Sequence, residues 1–317
     1  MSKSQSATLG ILLICFIWGV EFVLIRNAIA VLEPHSFNFI RFGIASLFTG
    51  ICMRHGNQRD GLNWRLIKRG CFLGILLYLG FTFQTFGLLY TSVSNCAFIT
   101  SLSVVLVPIV AFFALGDRLR LTTIVGVGIA TAGLYFLTVA GDVPFNFGDS
   151  LPFVGAAMFA LHIVYTGKYS REHGALCLTL VQLITVSVLS LGSVLVSEDW
   201  HRLLDIGVVG DPRVLFALFV ASILGTSLAV MIQTLAQSHL SSTRVALVFS
   251  LEPVFASLAA FLVLKEQLPA AAGVGAVMIL TGILLAELPS FSFTSCRSKR
   301  VKEKIKGALG FEIDVSL

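Results

Sequence analysis

Ten stretches of about 20 mostly apolar residues, joined by short polar connections, decide what this chain can become. They fall, to within a few residues at each end, at 7–27, 36–53, 69–90, 95–115, 121–139, 150–167, 176–197, 213–235, 244–264 and 269–288. Runs of that length partition into lipid, where every backbone N–H and C=O must be bonded inside the chain. Helices meet that demand, and these runs lack the period-two alternation of barrel strands. Charged residues make up only 12% of the 317, about half the roughly 25% of a soluble domain. The expected fold is an all-α polytopic membrane protein with ten transmembrane helices. The N-terminal segment starts basic and turns apolar as a signal peptide does. It has no small-residue cleavage site and runs on through Trp18 and Glu21, so it is read as a retained first helix.

Lys and Arg in the loops set the orientation. Lys3, the loop carrying Arg54, Arg59, Arg65, Lys68 and Arg69, then Arg118, Arg120, Lys168, Arg171, Arg244 and the tail from Arg297 to Lys306 all fall on one side. The other side holds Arg26, Arg202, Arg213 and Lys265, with acidic loops at Asp142, Asp149, Glu198, Asp199, Asp205 and Asp211. Both termini are expected in the cytoplasm, and an even number of spans agrees. The net charge of +5 is explained by this bias and does not point to nucleic acid.

A segment from Gln84 to Leu137 recurs without a gap from Gln233 to Ala286, at a constant offset of 149 residues. It matches Thr85 with Thr234, Ala97 with Ala246, Ser101 with Ser250, Leu102 with Leu251, Asp117 with Glu266, Gly126 with Gly275 and Gly133 with Gly282. Five helices per copy is odd, so the second copy must enter the membrane upside down, an arrangement common in secondary transporters. The first two helices of each copy align at an offset of 141, which pairs Trp18 with Phe159, Glu21 with His162 and Arg41 with Gln182. The domains read as 1–140, the first five-helix repeat; 141–288, the second, inverted repeat; and 289–317, a basic cytoplasmic tail.

The chain resembles the EamA-type permeases of the drug/metabolite transporter superfamily. The resemblance rests on Trp18-Gly19, Asn38-Phe39-Ile40-Arg41-Phe42, Tyr90-Thr91-Ser92, Ser250-Leu251-Glu252-Pro253 and Leu264-Lys265-Glu266-Gln267-Leu268, in that order across ten helices. Where the second copy has Glu252-Pro253 the first has Ser103-Val104, with its proline displaced to Pro108. The resemblance implies a solute carrier or exporter of the bacterial inner membrane with a central cavity lined by helices 1, 3, 4, 6, 8 and 9.

Ionisable groups within spans are costly unless they meet water, a partner or a ligand. That singles out Glu21, Arg41, His162 and Glu252. Glu21 and His162, repeat-equivalent and both about two thirds along their helices, are expected to face each other near the midplane. They would couple proton movement or contact a charged substrate, or else order helix packing. Glu252, just before helix-breaking Pro253, is a cavity carboxylate that favours a cationic or amino-bearing solute; a structural carboxylate is the competing reading. Gln84, Gln233, Ser101 and Ser250 are polar cavity candidates, or interhelical hydrogen-bonders. Trp18 and Tyr165 are stacking candidates, and Arg41 is read as structural, snorkelling to the headgroups.

Small residues at helical spacing (Gly126 with Ala130, Gly128 with Ala132, Ala271 with Gly275) read as scaffold, within one protomer or between two of a homodimer. The basic tail, with Val301 and Ile305 interleaved, is expected on anionic lipid. The six cysteines have no metal-ligand spacing, and no nucleotide motif occurs, so no cofactor is expected. An intramembrane enzyme would need an activated serine or an HExxH-like cluster, and a channel a filter-like loop. A secondary transporter moving a small metabolite, amino acid or drug-like solute is the leading function.

Overall fold

The computed structural model describes residues 3–55, 63–116, 120–138, 147–267 and 271–287, all helices and connections with no strand among them. Ten helices carry the architecture: α1 (Lys3–Ala28), α2 (Pro34–His55), α3 (Trp64–Tyr90), α4 (Val93–Leu115), α5 (Leu121–Thr138), α6 (Ser150–Tyr169), α7 (Ala175–Ser197), α8 (Pro212–Gln237), α9 (Ser242–Leu264) and α10 (Ala272–Glu287). Their bounds agree with the apolar runs to within a few residues. Eight of them are long and apolar enough to cross a membrane, so the chain is a multi-pass membrane protein. The two shorter ones, α5 and α10, are predominantly apolar and pack on each other. Exposed Leu9, Leu13, Phe16, Leu47 and Ile51 give the outer faces of α1 and α2 an apolar surface suited to lipid. The tail from Pro289, with Asp117 and Arg118, lies outside the described residues.

The repeat is visible in how helices begin, break and end. Ser92 caps α4 by accepting from the Asn95 amide, and its counterpart Ser241 caps α9 by accepting from the Arg244 amide. Both helices break ten residues after their caps, nearly three turns on, at equivalent residues. Leu102 N–H bonds Ile99 O at 3.1 Å, and Leu251 N–H bonds Val248 O at 3.1 Å, each a tightened three-residue turn. Pro253 opens the second half of α9, whereas Pro108 lies inside the second half of α4. The break at Leu102 therefore forms without a neighbouring proline. Both helices end in a left-handed residue, Gly116 at φ 70° and Lys265 at φ 59°.

Packing between the two halves comes in exchanged pairs. α1 lies against α8 and α9, and α6 against α3 and α4; α2 meets α8, and α7 meets α3; α2 meets α7, and α5 meets α10. The α5–α10 crossing is close and antiparallel. A Cβ built on Gly126 would lie 2.5 Å from Gly282 O, and one on Gly275 would lie 2.5 Å from Gly133 O.

At one end of the molecule, carboxylates of the second half cap helices of the first. Glu198 accepts from His35 N, Ser36 N and Ser36 Oγ at the start of α2, at 2.7–2.8 Å. Glu266 accepts from Val93 N, Ser94 N and Ser94 Oγ at the start of α4. Arg202 adds a bond to Val31 O and an ion pair with Glu33. Each carboxylate satisfies amides that a helix start leaves unbonded and sits at the positive end of the helix dipole.

Candidate functional site

Between the halves lies a cavity of about 60 Å³, room for a few waters at roughly 10–15 Å³ each. Five aromatic residues line it, Trp18, Phe22, Phe81, Phe159 and Phe249, with Ile25, Leu77 and Ile163. Its polar groups are Glu21, Arg41, Gln84, Thr100, Ser101, Ser103, His162, Gln233 and Glu252. The helix breaks at Leu102 and Leu251 bring the last of these into reach, because they turn Ser101, Ser103 and Glu252 toward the space.

Seven of the nine candidates named from sequence line this cavity: Trp18, Glu21, Gln84, Ser101, His162, Gln233 and Glu252. Tyr165 does not. Its ring packs edge-on to Phe72 at 5.1 Å and tilts on Tyr169. Ser250 is buried in the α9 break, donating to Leu247 O at 2.6 Å, and is absent from the lining.

The expected contact between Glu21 and His162 does not form; Glu21 is ion-paired with Arg41, and His162 is hydrogen-bonded to Gln182. Glu21 pairs with Arg41, Oε1 to Nη2 at 2.5 Å, both side chains at most 2% exposed. His162 Nε2 meets Gln182 Oε1 at 2.7 Å, with Thr166 Oγ1 at 3.4 Å. Arg41 and Gln182 are themselves equivalent in the repeat, so one pairing recurs in both halves, charged in the first and amide–imidazole in the second. The aligned partners hold the signal for this, because each contact lies within one copy and none joins Glu21 to His162 across the repeat.

Arg41 does not snorkel. It is 1% exposed, its guanidinium carbon lies 4.6 Å from the Phe81 ring centre, and its Nε donates to Thr226 Oγ1 at 2.7 Å. Its position near the end of α2 suggested the headgroups, but carboxylate, hydroxyl and ring together give it a buried site.

Glu252 is different. It is 7% exposed, lines the cavity, and makes no side-chain hydrogen bond or ion pair among the described residues. With Glu21 and Arg41 compensating each other, Glu252 is the carboxylate left over. Trp18, tilted on Phe249 at 5.0 Å, donates its indole N–H to Gly225 O at 2.6 Å. Gln84 donates to Thr100 Oγ1 and Gln233 to Gln237 Oε1, both at 3.3 Å. Among the described residues no group of His, Cys, Asp and Glu could hold a metal ion.

A wider vestibule of about 850 Å³ opens at the other end of the molecule from the Glu198 and Glu266 caps, lined by Arg120, Lys168, Arg171 and Arg244 together with Glu172 and His239. There the Arg69 guanidinium bonds the Glu172 carboxylate and holds it below the usual carboxylate range.

The profile of the EamA-like transporter family matches residues 5–139 and again residues 146–288. An uncharacterized transporter of Archaeoglobus fulgidus is 33% identical over 286 residues, covering 90% of this chain and 87% of the relative. Uncharacterized transporter YyaM of Bacillus subtilis is 26% identical over 289 residues, covering 84% of this chain and 89% of its own. A solved crystal structure superposes with a TM-score of 0.72 over 94% of this chain and 99% of the other, at 17% identity, which speaks to fold alone. Family profile, relatives and buried polar cavity converge on one conclusion: the chain is a membrane transporter and belongs to the EamA-like transporter family.

Proposed function

We propose that this transporter is a secondary carrier that moves a small amino-bearing monocation through the central cavity by alternating access. The observation that carries the reading is Glu252: an unpaired carboxylate among aromatic rings, beside an ion pair that is already neutral. A charge in such a place needs a proton or a cation, and aromatic faces favour the cation. One carboxylate serving either would exchange the two, which is a way to couple transport to a proton gradient.

The architecture proposed around it is ten spans in two inverted repeats, 1–140 and 141–288, with the tail 289–317 on anionic lipid. α5 and α10, of 18 and 16 residues, reach about 27 and 24 Å at 1.5 Å per residue, near the roughly 30 Å hydrocarbon core. With both termini in the cytoplasm of a bacterial inner membrane, the face tied by Glu198, Glu266 and Arg202 is the outer one. The vestibule then opens inward, and rocking of one repeat against the other would exchange the two faces.

Counterflow in proteoliposomes tests the reading. Unlabelled phenethylamine inside should accelerate uptake of labelled phenethylamine outside, and Glu252→Gln should abolish it while leaving the purified protein monodisperse. Counterflow at the wild-type rate in Glu252→Gln would sink the assignment of the anchor. Its absence in the wild type with every amine of a small panel would sink the substrate class.

A further inference from the structure

We propose that a widened turn of α8, Gly225–Thr226–Ser227, is a positioning element that pins Arg41 to Glu21 and so keeps Glu252 free to meet the solute. The last clause rests on the carrier reading above; the pinning itself stands on geometry.

Over Val220–Leu228 the helix opens into five-residue turns, a rare geometry that recurs at functional sites. Three consecutive residues of this stretch each engage a neighbouring helix, the first two at residues that line the cavity. Gly225 backs onto the Glu21 carboxylate so closely that a Cβ there would overlap it, and its carbonyl accepts from Trp18 at 2.6 Å. Thr226 Oγ1 accepts from Arg41 Nε at 2.7 Å. Ser227 Oγ lies 2.6 Å from Thr49 Oγ1, one helical stretch along from Arg41 on α2.

The guanidinium is thus fixed by Thr226 on its Nε edge, by Glu21 at Nη2, and by the rings of Phe81 and Phe42 on its faces. Its Nη1 and both Glu21 carboxylate oxygens have no hydrogen-bond partner, so Arg41 meets Glu21 as an ion pair by proximity and the orientation depends on few contacts. Arg41 and Glu252 line the same cavity. An arginine released from Thr226 has a second carboxylate within the same space, and an arginine shared with Glu252 would leave a cation nothing to bind.

The other half lacks the widened turn among its described residues. Carried back from Gln84 along α3, the offset of 149 sets Leu76 and Leu77 against Gly225 and Thr226. α3 is an uninterrupted α-helix there, and the pair it faces is His162 with Gln182. The widened, glycine-bearing turn occurs on the side of the cavity that holds the charged pair.

Carbodiimide mapping tests this on the full-length protein. Dicyclohexylcarbodiimide takes up a carboxylic acid across its C=N bond, the acid proton going to nitrogen and the carboxyl oxygen to carbon, and the adduct rearranges to a stable N-acylurea located by peptide mass spectrometry. In the wild type the adduct should fall on Glu252, with Glu21 protected by Arg41. In Thr226→Val, nearly the same shape without the acceptor, labelling of Glu21 should rise about tenfold and that of Glu252 should fall, because a charged partner at contact changes ionisation by about that factor. Thr226→Ser, which keeps the oxygen, should restore the wild-type pattern. Gly225→Ala should expose Glu21 with Thr226 intact. If Thr226→Val is not recovered as a monodisperse protein, Thr226→Ala takes its place.

A wild-type adduct pattern in Thr226→Val, or Thr226→Ser behaving like Thr226→Val, overturns the proposal. Because the reagent reports on the protein alone, a wild-type chain that carries no amine would overturn the solute reading and leave the adduct pattern to decide the positioning.

Discussion

Two glycines separated by one residue on α5 should respond to the same substitution with opposite signs. A methyl group at Gly126 would meet Gly282 O at 2.5 Å and Ala286 Cβ at 2.8 Å, whereas one at Gly128 would meet nothing within 4 Å. Ordinary contact begins near 3.4 Å, so Gly126→Ala must part α5 from α10 by about 0.9 Å along a crossing that has no slack. Overpacking of that kind costs about 1–3 kcal/mol. Gly128→Ala strains nothing and lowers the entropy of the unfolded chain, a gain of about 0.5–1 kcal/mol. The same contrast is expected on α10, where Gly275 abuts Gly133 O and Leu137 N at 2.5 Å, while Gly273 faces open space. Since the two contacts are repeat mates on one helix pair, Gly126→Ala and Gly275→Ala should cost nearly the same. Together they should cost less than their sum, because the first already separates the helices. Unfolding in mixed dodecylmaltoside–SDS micelles, followed by far-UV circular dichroism, reads all of these. Gly126→Ala proving no worse than Gly128→Ala would refute the close crossing.

Three further outcomes are expected in the same assay. Glu21→Gln leaves a buried guanidinium that cannot shed its proton and should cost about 3–5 kcal/mol, most of it recovered in Glu21→Gln with Arg41→Met; equal losses in single and double variants would dismiss the pair. Lys265→Gly relieves a side chain held at φ 59° and should stabilise by about 1 kcal/mol; no gain would mean the left-handed cap is not strained. Glu266→Ala removes the acceptor for two amides and a hydroxyl at the start of α4 and should cost about 1–2 kcal/mol; an unchanged midpoint would show that water replaces it.

The amino-acid pattern alone marked the apolar helices and the doubling of the unit, whereas the equivalent caps and breaks of α4 and α9 emerged only in the structure, because Ser103-Val104 stands where the second copy has Glu252-Pro253. The first two rest on residues close in the chain: an apolar run partitions by its own composition, and a repeat preserves the run and its spacing. It also picked out most of the cavity's polar groups, since ionisable and amide side chains in lipid are too costly to be incidental. Which of them bond was decided by tertiary structure. Glu21 reaches Arg41 and not His162, Tyr165 turns to Phe72, and Gly126 is buried while Gly128 faces outward, because those outcomes depend on the rotation and depth of one helix against another. Thr226 and Gly225 carried no signal in the chain, as a threonine and a glycine in an apolar helix are unremarked until a buried arginine and carboxylate are set against them.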